Sequence, residues 1–219
     1  MADANSNVRA IGLQGSLKRP AYDPGHYLAS SDLCTEQRYL RQRLRRHNRY
    51  LHGWGVVCGL WVAPARDPRR PWEVLVCPGY ALGPYGDEIF VPRRVPADIR
   101  DWIWLRPVIL RRPAAVAYVA VRYAEFAVRP VPTNPASCGC HDPVYVPSRI
   151  RDDFNVEILW ALPQPEASDT FDLCSDKTPT CPKCPASAYV VLASVLLPAS
   201  EGDSIKVQDI DNVTFRAQI

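Results

Sequence analysis

Proline interrupts this chain so often after residue 53 that no long helix can follow, and that restriction shapes everything beyond the N-terminal quarter. The 22 prolines in 219 residues are about twice the usual share of roughly 5%. Each removes a backbone N–H and crowds the preceding helical turn. Short strands joined by fixed turns are what such a chain can build. With 47% hydrophobic residues it still has the material for a sizeable core. The runs WGVVCGLWVA (54–63) and WEVLVCPGYAL (72–82), on either side of the loop ARDPRRP, read as an antiparallel pair. AAVAYVAVRYAEFAV (114–128) is apolar on both faces, as a central strand would be. VEILWAL (156–162) and YVVLASVLL (189–197) repeat that pattern, and the closing segment alternates Ile205, Val207 and Ile210, then Val213 and Phe215. Gly83 to Asp87 is a turn cluster, Glu88 to Val91 begins a strand, and residues 97–105 suit a short helix or a further strand. The expected fold is mainly β, a sandwich or jelly-roll-like domain with one prominent N-terminal helix and long cysteine-bearing loops. Residues 1–20 read as a polar arm, and 21–219 as a single domain with excursions at 129–153 and 163–188.

The helix lies upstream of the prolines, within YDPGHYLASSDLCTEQRYLRQRLRRHNRYLHGWGVVCGL. Leu33, Gln37, Leu40, Leu44, His47 and Leu51 recur at steps of three and four, which places them on one face. That face is expected to dock on something. Ser31 or Asp32 is the expected cap, and Gly53 and Gly55 the expected stop. Arg38, Arg41, Arg43, Arg45, Arg46 and Arg49 are assigned to the outer face, with Arg38, Arg41, Arg45 and Arg49 as partner contacts. A phosphate-binding helix would look similar, but the net charge is only +3, and a nucleic-acid footprint usually shows a more strongly basic domain. Of the tryptophans, Trp54 and Trp61 are the candidate packing anchors, because this residue type is enriched at interface hot spots.

The cysteines fall in two sets. Cys34, Cys58 and Cys77 lie in helix or strand runs, where buried thiols are the default. Cys138, Cys140 and His141 form C-x-C-H in the first excursion; Cys174, Cys181 and Cys184 form C-x6-C-x2-C in the second. Tetrahedral zinc takes four thiolate or imidazole ligands, and a C-x2-C knuckle presents two sulfurs from one tight turn. The first set of ligands is Cys138, Cys140, Cys181 and Cys184, with Cys174 and His141 as substitutes. Such a closed site is structural. Disulfides are the alternative, disfavoured by a cytosolic address. No signal-like segment opens the sequence, and no run approaches the roughly 20 apolar residues a membrane helix needs. A cytoplasmic protein assembled into a particle is therefore expected.

No phosphate loop, nucleophile elbow or H-E-x-x-H helix is present. His47 and His52, five apart on an α-helix, should point about 140° from each other. Asp87 and Glu88 should point to opposite faces of a solvated turn, and Asp23-Pro24-Gly25 is a structural corner.

Taken in order, GHYLASSDLCTEQRYLRQRLRRHNRYLHGWGVVCGLWV, VLVCPGYALGPYGDEIFVP and the late VVLASVLL and IDNVTFR form a pattern. It resembles the N-terminal shoulder domain of the type VI secretion baseplate adaptor and of phage receptor-binding proteins. Gly25, Leu28, Gln37, Tyr39, Gly79 and Gly86 carry the likeness, which spans residues 22–95 and, more weakly, 188–219. The sequence also looks like small proteins of phage-tail-like contractile injection systems. The resemblance implies a non-enzymatic building block that joins neighbouring subunits of a tail or baseplate, itself a homo-oligomer, through the arm and the Arg-rich helix. Two alternatives stand beside it: a zinc-stabilised nucleic-acid-binding module using that helix, and a small ligand-binding or enzymatic β-sandwich.

Overall fold

The structure, a computed structural model, describes residues 16–103, 115–133, 144–163, 186–198 and 203–212. Helix α1 (Ser30–His47) runs on through a π turn (Asn48–His52). Then come β1 (Gly55–Gly59), β2 (Val62–Pro64), β3 (Glu73–Val76), β4 (Gly79–Leu82), β5 (Glu88–Val91), β6 (Val95–Asp98) and the short helix α2 (Arg100–Ile103). The remaining strands are β7 (Val116–Thr133), β8 (Val144–Leu159), β9 (Val190–Leu196) and β10 (Ile210–Asn212). They form three antiparallel sheets, ordered β1-β4-β5, β2-β3-β6 and β10-β9-β7-β8. Segment 97–105 supplies the end of β6 and then α2, so both readings of it apply in turn; residues 104 and 105 lie outside the described residues.

The two runs flanking ARDPRRP do pair antiparallel, but each is broken so that one hairpin serves two sheets. β1 pairs with β4 in one sheet and β2 with β3 in the next. At the break Gly59 sits opposite Gly79. A Cβ on Gly59 would lie 2.2 Å from the Pro78 carbonyl oxygen, and one on Gly79 only 2.3 Å from the Leu60 nitrogen. Only glycine lets the two backbones approach so closely there. Leu60 then takes φ 57° to carry the chain across, and its side chain anchors the corner at 2% exposure.

One core joins all three sheets. Leu60, Val62, Trp72, Val74, Val76, Ile89, Val91 and Ile99 come from the small sheets and their connections; Val119, Val121, Ile158, Leu192 and Val195 come from the large one. β7 is central as expected, between β8 and β9. A polar clamp adds to the apolar packing. Asn212 on β10 accepts from the Val62 N–H at 2.7 Å and donates to the Val62 carbonyl at 3.0 Å, giving β2 a side-chain substitute for a ladder partner. Ile205 is buried, Val207 is exposed in a 3-10 turn, and Val213 and Phe215 lie outside the described residues.

The excursion at 129–153 needs correcting. Residues up to 133 and from 144 onward are strand, the outer halves of β7 and β8, paired in register from Phe126↔Arg151 to Thr133↔Val144. β9 accompanies β7 only as far as Val121. Beyond it the two strands run on as a ribbon of about 40 Å, at roughly 3.3 Å per residue. Val144, Tyr145, Val146 and Ile150 are the β-rich signal that the loop reading overlooked. Most of the second excursion (164–185) lies outside the described residues.

Candidate interaction surface

The segment leading into α1 is fixed locally. Gly25, at φ 89°, closes the Asp23-Pro24-Gly25 corner, with the His26 N–H donating to the Asp23 carbonyl at 3.1 Å. Ala29, rather than Ser31 or Asp32, occupies the cap position. Asp32 instead reaches back from the first turn and accepts from the Ala29 N–H at 2.9 Å. Tyr22 donates to Glu36 and ties the incoming segment to the helix; that bond raises the Tyr22 phenol's pKa. Gly53, at φ 72°, ends the π turn.

α1 lies the opposite way round from the sequence expectation. Arg45 and Arg49 are 9% and 2% exposed, while Leu33, Leu40, Leu44 and Leu51 are 52%, 58%, 49% and 65% exposed. The cause is a set of carboxylates on the body of the protein. Arg45 donates to Asp87 of the β4–β5 turn and lies 3.7 Å from Glu125 of β7. Arg41 donates to the same Glu125 at 2.8 Å. Asp87 is therefore buried and paired, which corrects its reading as part of a solvated turn; Glu88 is exposed and does point the other way. Burying a guanidinium is costly unless a carboxylate meets it, and here two do.

Gly86 makes room for this contact. Its φ is 82°, and a Cβ there would fall 2.0 Å from the Arg45 carbonyl oxygen. Asn48 donates to the Gly86 carbonyl at 3.0 Å. Below the helix, Tyr123 donates to Glu125 and to Asp152 of β8, and the Arg45 guanidinium lies 5.8 Å from its ring centre. Burial first, then those acceptors, push the Tyr123 phenol far above its ordinary pKa, so it remains a donor. A second set, with Arg122 and Tyr189 both donating to Glu157 at 2.6 Å, stitches β7, β8 and the entry to β9.

Much of what reaches solvent on these elements is apolar. Besides the leucine face of α1, the ribbon exposes Phe126, Val144, Tyr145, Val146 and Ile150. Arg151 stacks on Phe126 with its guanidinium 5.8 Å from the ring centre. Pro130 and Pro147 face each other in the ribbon, where proline removes edge donors that would template unwanted pairing. Trp54 and Trp61 are 42% and 57% exposed. Arg38 and Arg41 are exposed, in contrast to Arg45 and Arg49.

The histidines were misjudged. Their rings lie edge to face with centres 5.3 Å apart. A π turn spaces i and i+5 as an α turn spaces i and i+4, so the widening at Asn48–His52 brings His47 and His52 together. Cys34 and Cys58 are exposed and Cys77 partly buried, in place of the buried thiols expected. Cys138, Cys140, His141, Cys174, Cys181 and Cys184 lie outside the described residues, as do residues 1–15 of the arm and Trp104. Among the described residues no three His, Cys, Asp or Glu side chains gather as a metal site would require. No helix among them is long and apolar enough to cross a membrane.

No protein-family model matches the chain, and no curated protein matches it. Among the solved structures that match in fold are the following two. One is the type VI secretion system TssK-TssF-TssG baseplate subcomplex seen by cryo-electron microscopy, at 11% identity and TM-score 0.41, over 91% of this chain and 61% of that one. The other is a crystal structure of TssK, at 12% identity and TM-score 0.42, over 90% of this chain and 41% of that one. The chain thus spans about three fifths and two fifths of these two structures, and the likeness is one of fold.

Proposed function

We propose that this chain is a non-enzymatic structural subunit of a phage-tail-like contractile particle, of baseplate or fibre-adaptor type, joining neighbouring subunits. The observation that carries this reading is the placement of its exposed apolar side chains. Nearly half of those among the described residues lie on two elements, the outer face of α1 with its π turn and the β7–β8 ribbon, while Arg45 and Arg41 of α1 pair with Asp87 and Glu125. A protein that stays alone in water seldom arranges a helix this way, because contiguous apolar patches mark surfaces that a partner covers. The motif resemblance through Gly25, Gln37, Gly79 and Gly86 names the kind of particle. Two of these glycines do structural work here, Gly79 at the sheet break and Gly86 under α1. The joining surfaces are therefore the leucine face of α1 and the ribbon, together with the arm of residues 1–20. The inward turn of Arg45 and Arg49 weakens the nucleic-acid alternative by removing two of its cations.

The test is affinity purification of the tagged chain from its native host, with the co-purifying proteins identified by mass spectrometry. Sheath, tube or baseplate subunits are the expected companions, and deleting residues 1–20 should release them while leaving the fold intact. Recovery of the chain with none of these subunits would overturn the reading.

A further inference from the structure

We infer that α1 and its π turn form a releasable strap, which lifts off the body about Gly53, leaves the three sheets folded and bares an acidic seat. The inference is independent of the assembly reading. Among the described residues, no side chain of the hydrophobic core comes from residues 30–52. The buried residues of this segment are Arg45, Asn48 and Arg49, all polar, while Leu33, Leu40, Leu44 and Leu51 face solvent. Burial of an apolar face is what usually fastens a helix to its domain. Lifting α1 therefore withdraws no apolar side chain of its own from the core. Its described contacts with the body lie towards one end. Arg45 pairs with Asp87, Arg41 pairs with Glu125, and Asn48 donates to the Gly86 carbonyl at 3.0 Å. The same side of the helix continues through Arg38 and Cys34, at steps of three and four, yet both are exposed. The N-terminal half of α1 thus stands clear of the described body.

Gly53 supplies the hinge. It takes φ 72° and ψ −148°, a region essentially reserved for glycine, and a Cβ built there meets nothing within 4 Å. Two residues on, Gly55 is already paired with Leu82 in β1 and β4. A rotation at Gly53 can therefore carry the strap away without breaking a strand. Lifting uncovers Asp87 and Glu125, with Asp152 beside them on the Tyr123 hydroxyl. Once Arg41 and Arg45 have left, these three carboxylates around one phenol make the empty seat anionic, a surface suited to an arginine-bearing segment. The separated charges also return to water, and their hydration offsets much of what the broken pairs lose. One motion changes two surfaces: it opens the seat, and it re-aims the leucine stripe that rides on the strap.

Amide hydrogen exchange of the full chain, followed by mass spectrometry in increasing urea below the unfolding transition, tests the inference. Peptides from residues 41–52 should exchange through an opening that depends little on urea and occurs more readily than the global unfolding that exposes β7 and β9. Asp87→Asn should speed exchange of these peptides at least about tenfold, because it removes the partner of Arg45. Val195→Ala, in the core strand β9, provides the decisive comparison. It destabilises the strapped and released forms alike, so β7 and β9 peptides should exchange faster while residues 41–52 keep the wild-type rate. Acceleration of residues 41–52 in step with β7 and β9 would overturn the inference, since α1 would then leave only when the body unfolds. So would a wild-type exchange of residues 41–52 with the same urea dependence as β7, or an Asp87→Asn chain whose residues 41–52 exchange at the wild-type rate.

Discussion

Arg45 and Asp87, 42 residues apart, form a buried ion pair that fixes helix α1 to the turn between β4 and β5. Their side chains are 10% and 5% exposed, so little water reaches either charge. Breaking such a pair from one side leaves a buried charge without its partner, at a cost of roughly 3–5 kcal/mol. Asp87→Asn should fall near the lower end, since Glu125 remains 3.7 Å from the Arg45 guanidinium. Arg45→Met in the Asp87→Asn background should recover part of the loss, because the buried guanidinium is then gone and Glu125 keeps Arg41 as its partner. Urea unfolding of the two single variants and the double variant measures this. Strict additivity of the two changes would show that the pair is not coupled.

Gly86→Ala should detach α1 rather than merely strain the turn. Alanine at φ 82° costs about 1–3 kcal/mol in backbone conformation alone. Its Cβ would in addition meet the Arg45 carbonyl oxygen at 2.0 Å, a contact with helix backbone that no rotamer change relieves. The readout is limited proteolysis with trypsin, because α1 is rich in arginine and Arg45 and Arg49 are shielded only while the helix is seated. Rapid new cleavage after Arg45 or Arg49 is the anticipated result. An unchanged cleavage pattern would mean that Gly86 does not hold the helix in place.

Much of the fold was legible because strands announce themselves locally. The run at 114–128 is apolar on both faces and became the central strand β7, and Glu88 to Val91 became β5. What stayed hidden depended on partners distant in sequence. Periodicity identified the two faces of α1 but not which one would turn inward, because that was settled by Asp87 and Glu125, 42 and 80 or more residues away. Burial by hydrophobicity was the natural assumption, and paired charge overrode it. The ribbon was missed for another reason. Its prolines and exposed arginines resemble a loop, although Val144, Tyr145, Val146 and Ile150 carry a strand signal. His47 and His52 came together only through a π turn, which an α-helical period cannot foresee.

Asn212→Asp and Asn212→Leu separate the two bonds of the clamp on β2. Aspartate keeps the acceptor for the Val62 N–H but loses the donor to the Val62 carbonyl; leucine loses both. At about 1 kcal/mol per bond, with more where a buried group is left unpaired, leucine should cost roughly twice what aspartate does. Amide hydrogen exchange discriminates further, since Val62 should stay protected in Asn212→Asp and exchange faster in Asn212→Leu. Equal protection in both variants would show that the clamp contributes nothing to the junction of β10 and β2.

Tyr80 should make the protein sensitive to alkali. Burial first, and then Glu88 nearby, raise its phenol from 10.0 to about 12. The folded state therefore holds this proton more tightly than the unfolded chain does. Linkage then fixes the sign: the contribution is fully present below pH 10 and is lost progressively as pH rises through about 12. Tyr123 is raised in the same direction and adds to the fall. Tyr80→Phe removes one titrating group, so its urea midpoint should decline less steeply across this range than that of the wild type. Glu88→Gln should lower the Tyr80 pKa only in part, because burial remains the larger cause. Phenolate absorbance during a pH titration follows the ionisation directly, and a Tyr80→Phe profile that overlays the wild-type curve would refute the assignment.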